Sequence, residues 1–139
     1  MSRRFTYIVL SSVALICGGL IYILFRENSY VGNLFINFAF IKYIKEIAGW
    51  LECDFIKFYF PDFLWSFSLC LALYAIYTPN KTGEMICSLI VFMIGIFWEL
   101  MQYWNIIRGT GDICDIFMYL LASITCIIIS IRREKDEKN

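Results

Sequence analysis

The chain has 139 residues, 60% of them hydrophobic and 19% aromatic, and its formal net charge is zero. A soluble domain carries only about 45–50% apolar residues, and a core of this size cannot bury the excess, so the composition points to a bilayer as solvent. Zero net charge offers no basic field to a nucleic acid, and the lack of any histidine removes the commonest general base and metal ligand.

Arg3 and Arg4 precede an apolar run over 5–25, closed by Arg26, Glu27 and Asn28. About 21 residues at ~1.5 Å each cross a hydrocarbon core of about 30 Å. The run is too long for a secretory signal and lacks a small-residue cleavage site, so it reads as a retained membrane helix.

Residues 33–52 are apolar but punctuated by Asn37, Lys45, Glu46 and Glu52, with Phe35, Phe38, Tyr43 and Trp50 on the other side. Two readings stay open: a helix lying in or partly re-entering the interface, or a packed connecting helix. Residues 53–60 read as a short aromatic connector.

Pro61 and Asp62 resemble helix-start signals, proline in the first turn and aspartate as cap, so a second span is expected over 62–78. Pro79 and Asn80 end it, and residues 81–83 make the turn. A third span is expected over 85–104 and a fourth over 113–131. Residues 132–139 form a charged tail, expected to be frayed. The fold class is therefore all-α: a polytopic bundle of four transmembrane helices in a single membrane domain, with one interfacial helix between the first and second.

Arg3, Arg4, Lys81, Arg132, Arg133, Lys135 and Lys138 fall at one end of such a bundle. The positive-inside rule then predicts a multi-pass cell-membrane protein with both termini cytoplasmic. That topology brings Asp62, Glu99, Gln102, Arg108, Asp112 and Asp115 to the outer side. Gln102 lies at i+3 from Glu99, Asp115 at i+3 from Asp112, and Tyr119 one turn beyond Asp115. Charges at membrane depth are costly and usually functional. Asp112 and Asp115 could also be only a helix cap and a capping box, and Glu99 only the buried partner of Arg108. Trp65, Trp98, Tyr103 and Trp104 suit an interfacial belt.

One arginine among carboxylates can grip a phosphate, a carboxylate or a sugar hydroxyl. The carboxylates with Gln102 also have the chemistry for a hard divalent cation. No phosphate-binding loop, zinc spacing or serine elbow is present, so no cofactor, metal or catalytic residue is assigned. The six cysteines form no CxxC pair and read as small buried hydrophobes.

On Glu99-x-x-Gln102, Arg108, Asp112 and Asp115, with Asp62 opening an earlier span, the chain resembles the VanZ-like family of small bacterial membrane proteins. The likeness covers residues 61–131. Phe63, Leu64 and Trp65 stand where the family often has a lysine and a histidine, and Tyr119 and Ala122 near its asparagine and glycine. The resemblance implies fold, bacterial inner-membrane location and site rather than a reaction. The expected function is an outward carboxylate/arginine site for an anionic envelope lipid or glycopeptide-like ligand, with the bilayer as the other partner and no nucleic acid. A structural or partner subunit is the alternative. A hydrolase or transferase using Glu99 or Asp115 as acid or base is disfavoured by the lack of histidine and metal signature. A transporter is disfavoured because only one polar ring is visible.

Overall fold

The computed structural model describes residues 3–25, 53–77 and 80–138, with side chains as far as Arg132. Helix α1 is Arg3–Phe25, α2 is Phe60–Tyr77, α3 is Lys81–Tyr103 and α4 is Ile113–Lys138. No strand occurs among the described residues. Four helical segments are long and apolar enough to cross a membrane. The interfacial or connecting helix expected over 33–52 lies outside the described residues.

Most small and polar side chains of α1 and α3 face inward and most of their large apolar ones outward. The buried positions of α1 are Thr6, Tyr7, Ser11, Ala14 and Gly18, at helical spacing, while Ile8, Val13, Leu15 and Ile16 are exposed. On α3 the buried stripe is Glu84, Ser88, Val91, Gly95 and Glu99, while Met85, Leu89, Met93 and Phe97 are exposed. Small residues let helix backbones approach closely, which is how helices associate when the solvent is as apolar as leucine.

The helices alternate in direction. Tyr7 near the start of α1 and Ser130 near the end of α4 both donate to Glu84 in the first turn of α3, which defines a tail end. At the opposite, hairpin end, Tyr119 in α4 donates to Glu99 near the end of α3. Helix α2 touches the other three, and α3 and α4 pair along the hairpin. The core joins Tyr7 of α1, Cys70, Leu71, Tyr74 and Ala75 of α2, Val91 of α3 and Cys126 of α4. Helices α1 and α2 lock through a reciprocal serine pair. Ser11 Oγ donates to Ser68 O and Ser68 Oγ to Ser11 O, both at 2.9 Å, with the two hydroxyls 3.1 Å apart.

Several boundaries differ from the sequence expectation. Residues 53–60 are not a connector: a π-helical turn, Phe55–Tyr59, runs directly into α2. Phe60 N–H bonds back to Phe55 O, and Pro61 follows, a residue with no N–H to give. A widened turn accommodates a proline that would clash in a regular helix interior. Asp62 therefore sits inside the continuous helix and is not its cap. Residues 81–83 are not a turn either. Asn80 Oδ1 accepts from Gly83 N–H at 2.9 Å and caps α3, which begins at Lys81. The charged tail continues α4 to Lys138, since its Arg, Glu and Lys residues are good helix formers extending an existing helix. Cys70 and Cys126 are buried, but Cys17, Cys53 and Cys114 are exposed, and no described cysteine is in a disulfide.

The Ser11–Ser68 crossing tolerates loss of a hydroxyl better than gain of bulk. Ser11→Ala should cost under about 1 kcal/mol, since hydrogen bonds between membrane helices average ~0.6 kcal/mol. Ser11→Leu should cost about 1–3 kcal/mol by overpacking. Unfolding titrations in detergent check the order, and equal losses would refute a close α1–α2 contact here.

Candidate functional site

A cavity of about 860 Å³ lies at the hairpin end. Asp62, Glu99, Gln102, Arg108, Asp112, Asp115 and Tyr119 all line it. Lys57, Tyr59, Trp65, Ser66 and Trp98, which the sequence reading did not place in the site, line it too. The cavity lining runs from the exposed loop residues Arg108, Gly109 and Thr110 to an apolar part made by Leu15, Leu69, Ala72, Val91 and Ile94, with Ser11 and Ser68.

Glu99 is the buried centre of the polar end, 4% exposed. Its Oε1 accepts from Tyr119 OH at 2.9 Å and its Oε2 from Asp112 N–H at 3.0 Å. Asp112 is the residue before α4, and its Oδ1 accepts from Cys114 N–H at 2.9 Å, so it does cap the helix. In a capping box the cap residue's own N–H would be taken by a side chain three residues on. Here Glu99 takes it from the neighbouring helix, so Asp115 closes no capping box and its carboxylate lines the cavity half-buried. The Tyr119 hydroxyl also lies 3.4 Å from Asp62 Oδ1, a longer second contact that brings in α2. Tyr59 OH reaches Asp112 Oδ2 at 3.3 Å.

Two glycines permit this closeness. A Cβ at Gly95 would stand 2.4 Å from the Tyr119 ring, so α3 and α4 meet there through a bare backbone. A Cβ at Gly111 would stand 2.8 Å from Glu99 O, which brings the loop onto the end of α3. The loop turns at Asn105, which adopts φ 57°, a left-handed value that asparagine tolerates. In the amide orientation that satisfies both its groups, Gln102 donates to Thr110 O at 3.2 Å and accepts from Trp98 Nε1 at 2.7 Å. Gln102 therefore ties the loop down.

Arg108 is exposed at the cavity edge and makes no ion pair among the described residues. The alternative in which Glu99 is only the buried partner of Arg108 is not what is seen: the Glu99 oxygens take a hydroxyl and an amide donor instead. Lys57 stands 5.3 Å from the centroid of the Phe58 ring, a cation–π distance. Trp65 and Trp98 are half-exposed cavity walls as well as surface aromatics, and Trp65 leans on Tyr22 with ring centroids 5.9 Å apart. Ser66 Oγ is buried in the cavity wall without a hydrogen-bond partner. No group of three Cys, Asp or Glu side chains among the described residues could hold a metal ion.

A second buried carboxylate was missed by the sequence reading. Glu84 is 5% exposed at the tail end, where Tyr7 OH donates to it at 3.3 Å and Ser130 Oγ also donates. Asn80 was the available signal: as an N-cap it starts α3 before Glu84 and puts that residue inside the helix.

No family model, no curated protein and no solved structure matches this chain.

Glu99→Ala leaves Asp112 N–H and Tyr119 OH without their acceptor, which should cost about 1–3 kcal/mol. Glu99→Gln keeps an acceptor oxygen and should cost less. Thermal unfolding in detergent distinguishes them; a neutral or stabilised Glu99→Ala would show that the junction does not depend on this carboxylate.

Proposed function

We propose that this chain is a VanZ-like, multi-pass protein of a bacterial cytoplasmic membrane whose cavity binds an anionic envelope lipid. The resemblance rests on Glu99, Gln102, Arg108, Asp112 and Asp115, with Asp62. The bundle's inverted surface supports the membrane reading, with large apolar residues outward on every span. Both termini are assigned to the cytoplasmic side by the short basic flanks, of which Arg3, Arg4 and Lys81 open helices and Arg132 closes the apolar span of α4 at the tail end.

The observation that carries the ligand class is the gradient along one cavity. Its edge has both cations, Lys57 and Arg108, and its inner end is apolar. A pocket of this kind, polar at one end and apolar at the other, suits an amphiphile. Leu15, Trp65, Leu69, Ile94 and Trp98 line it and are also exposed, so α1, α2 and α3 offer acyl chains an apolar flank beside the polar edge. Arg108 would grip a phosphate bidentately, and Lys57 would add a point charge. Glu99 belongs to the scaffold, since Tyr119 and Asp112 use both its oxygens. Asp115 and Asp62 then set the site's charge and disfavour polyanionic heads.

Arg108→Ala should weaken phosphatidylglycerol binding about tenfold, the loss of one charge-assisted contact, and Lys57→Ala by less. Phosphatidylcholine serves as the comparison lipid, and quenching of tryptophan fluorescence by brominated lipids reads the occupancy. Unchanged phosphatidylglycerol binding in Arg108→Ala would end the proposal.

A further inference from the structure

The buried stripe of α3 begins and ends in a carboxylate. Glu84 and Glu99 lie about 22 Å apart along the helix axis, and Ser88, Val91 and Gly95 fill the stripe between them. Glu99 belongs to the cavity already described. Glu84 belongs to nothing described above except the helix packing, and an ionisable group among membrane helices is rare and costly.

Its surroundings are built of exchangeable protons. Tyr7 of α1 and Ser130 of α4 donate to its two oxygens, and the thiols of Cys70 on α2 and Cys87 on α3 lie within electrostatic range. Among the described residues no cation faces it within ion-pair distance. Glu84 sits one turn inside the start of α3, so the tail-end surface is close. One turn further in, Ser88 Oγ shares a hydrogen bond with Tyr74 OH at 2.5 Å and contacts Cys70 Sγ at 3.3 Å. Tyr7, which donates to Glu84, and Tyr74, which bonds Ser88, pack edge to face with ring centroids 5.5 Å apart. Next comes Val91, 2% exposed and in one core cluster with Leu71. Val91 also lines the inner end of the cavity, together with Ser11 and Ser68. On the α3 stripe Val91 thus stands between Ser88 and the cavity it lines.

We propose that this stripe is a gated proton path. Glu84 takes up a proton at the tail end and becomes the neutral acid. It passes that proton to the Ser88–Tyr74 hydroxyls, each of which accepts one proton and gives one up, and the far hydroxyl releases one into the cavity. Nothing is oxidised or reduced, and Glu84 returns to the carboxylate. Val91 is the gate, because a valine at this layer can neither donate nor accept. Glutamine at this position keeps one acceptor oxygen, for Tyr7 or for Ser130, and carries no proton to exchange.

The inference goes beyond lipid binding and shares with it only the placement across a bilayer. The test uses the full chain in phosphatidylethanolamine–phosphatidylglycerol vesicles holding a pH-sensitive dye, with proton entry driven by a potassium gradient and valinomycin. Val91→Ser puts a hydroxyl in the gate and should raise the proton rate about tenfold over the parent chain. Adding Glu84→Gln should return it to the rate of protein-free vesicles. The inference is overturned if Val91→Ser is no faster than protein-free vesicles, or if the double variant is as fast as Val91→Ser alone. If Val91→Ser loses helix content or aggregates, the near-isosteric Val91→Thr takes its place under the same criteria. The bilayer placement is read separately, from an impermeant maleimide reaching a single cysteine at Cys114 and one at Lys81→Cys from opposite faces.

Discussion

The carboxylate of Glu99 is held by two donors from α4, the Tyr119 hydroxyl and the Asp112 amide, and the way α3 meets α4 follows from that arrangement. The amide is the first of the orphan N–H groups at the start of α4, so satisfying it from α3 fixes both where α4 begins and how far the loop can move. The hydroxyl comes from about two turns deeper in α4, where the Tyr119 ring packs on the bare backbone at Gly95. The same hydroxyl approaches Asp62, which draws α2 toward the junction. Three helices thus meet at one hydroxyl, that of Tyr119, and the cavity lies around it.

The bundle inverts the rule of soluble folds, and this was partly legible in the sequence. Four apolar runs of spanning length are plain, and so is the concentration of charge around 99–115. Which face of each run turns inward is less plain, because the signal is size rather than hydropathy. Ser88, Gly95 and Ala122 are buried where Leu89, Phe97 and Leu121 are exposed, and a hydropathy average cannot separate them. The start of α2 was hidden by a true local signal with the wrong consequence. Pro61 followed by Asp62 has the chemistry of a helix start, yet the π turn before it lets the helix run on from Phe55. Helix α3 was shortened by the same kind of error: Pro79 and Asn80 mark an end, but Asn80 is also a beginning. That step of one turn concealed Glu84, which the expected span over 85–104 leaves just outside the helix.

The candidate site was legible as a set of residues and not as a set of interactions. Sequence spacing brings Asp62, Glu99, Gln102, Arg108, Asp112, Asp115 and Tyr119 to one end, and the folded chain lines one cavity with them. The assumed pairing of opposite charges does not follow from spacing. A buried carboxylate is satisfied as well by an amide and a hydroxyl as by a guanidinium, and without desolvating a second charge. The chain takes that route at both ends of α3: Tyr119 and Asp112 serve Glu99, and Tyr7 and Ser130 serve Glu84.

This has a consequence for the cations. An arginine locked against a buried carboxylate has spent its fork of donors and its charge, and it offers a ligand little. Arg108 stays at the exposed edge of the cavity because Glu99 is already satisfied by α4. Lys57 is steadied by the face of Phe58, a contact that orients an ammonium without neutralising it. The loop that carries Arg108 is tied down through Gln102 and Gly111 rather than through the arginine itself. Scaffold and cation thus fall to different residues: hydroxyl and amide donors to Glu99 hold α3 against α4, and Arg108 keeps its charge at the exposed cavity edge.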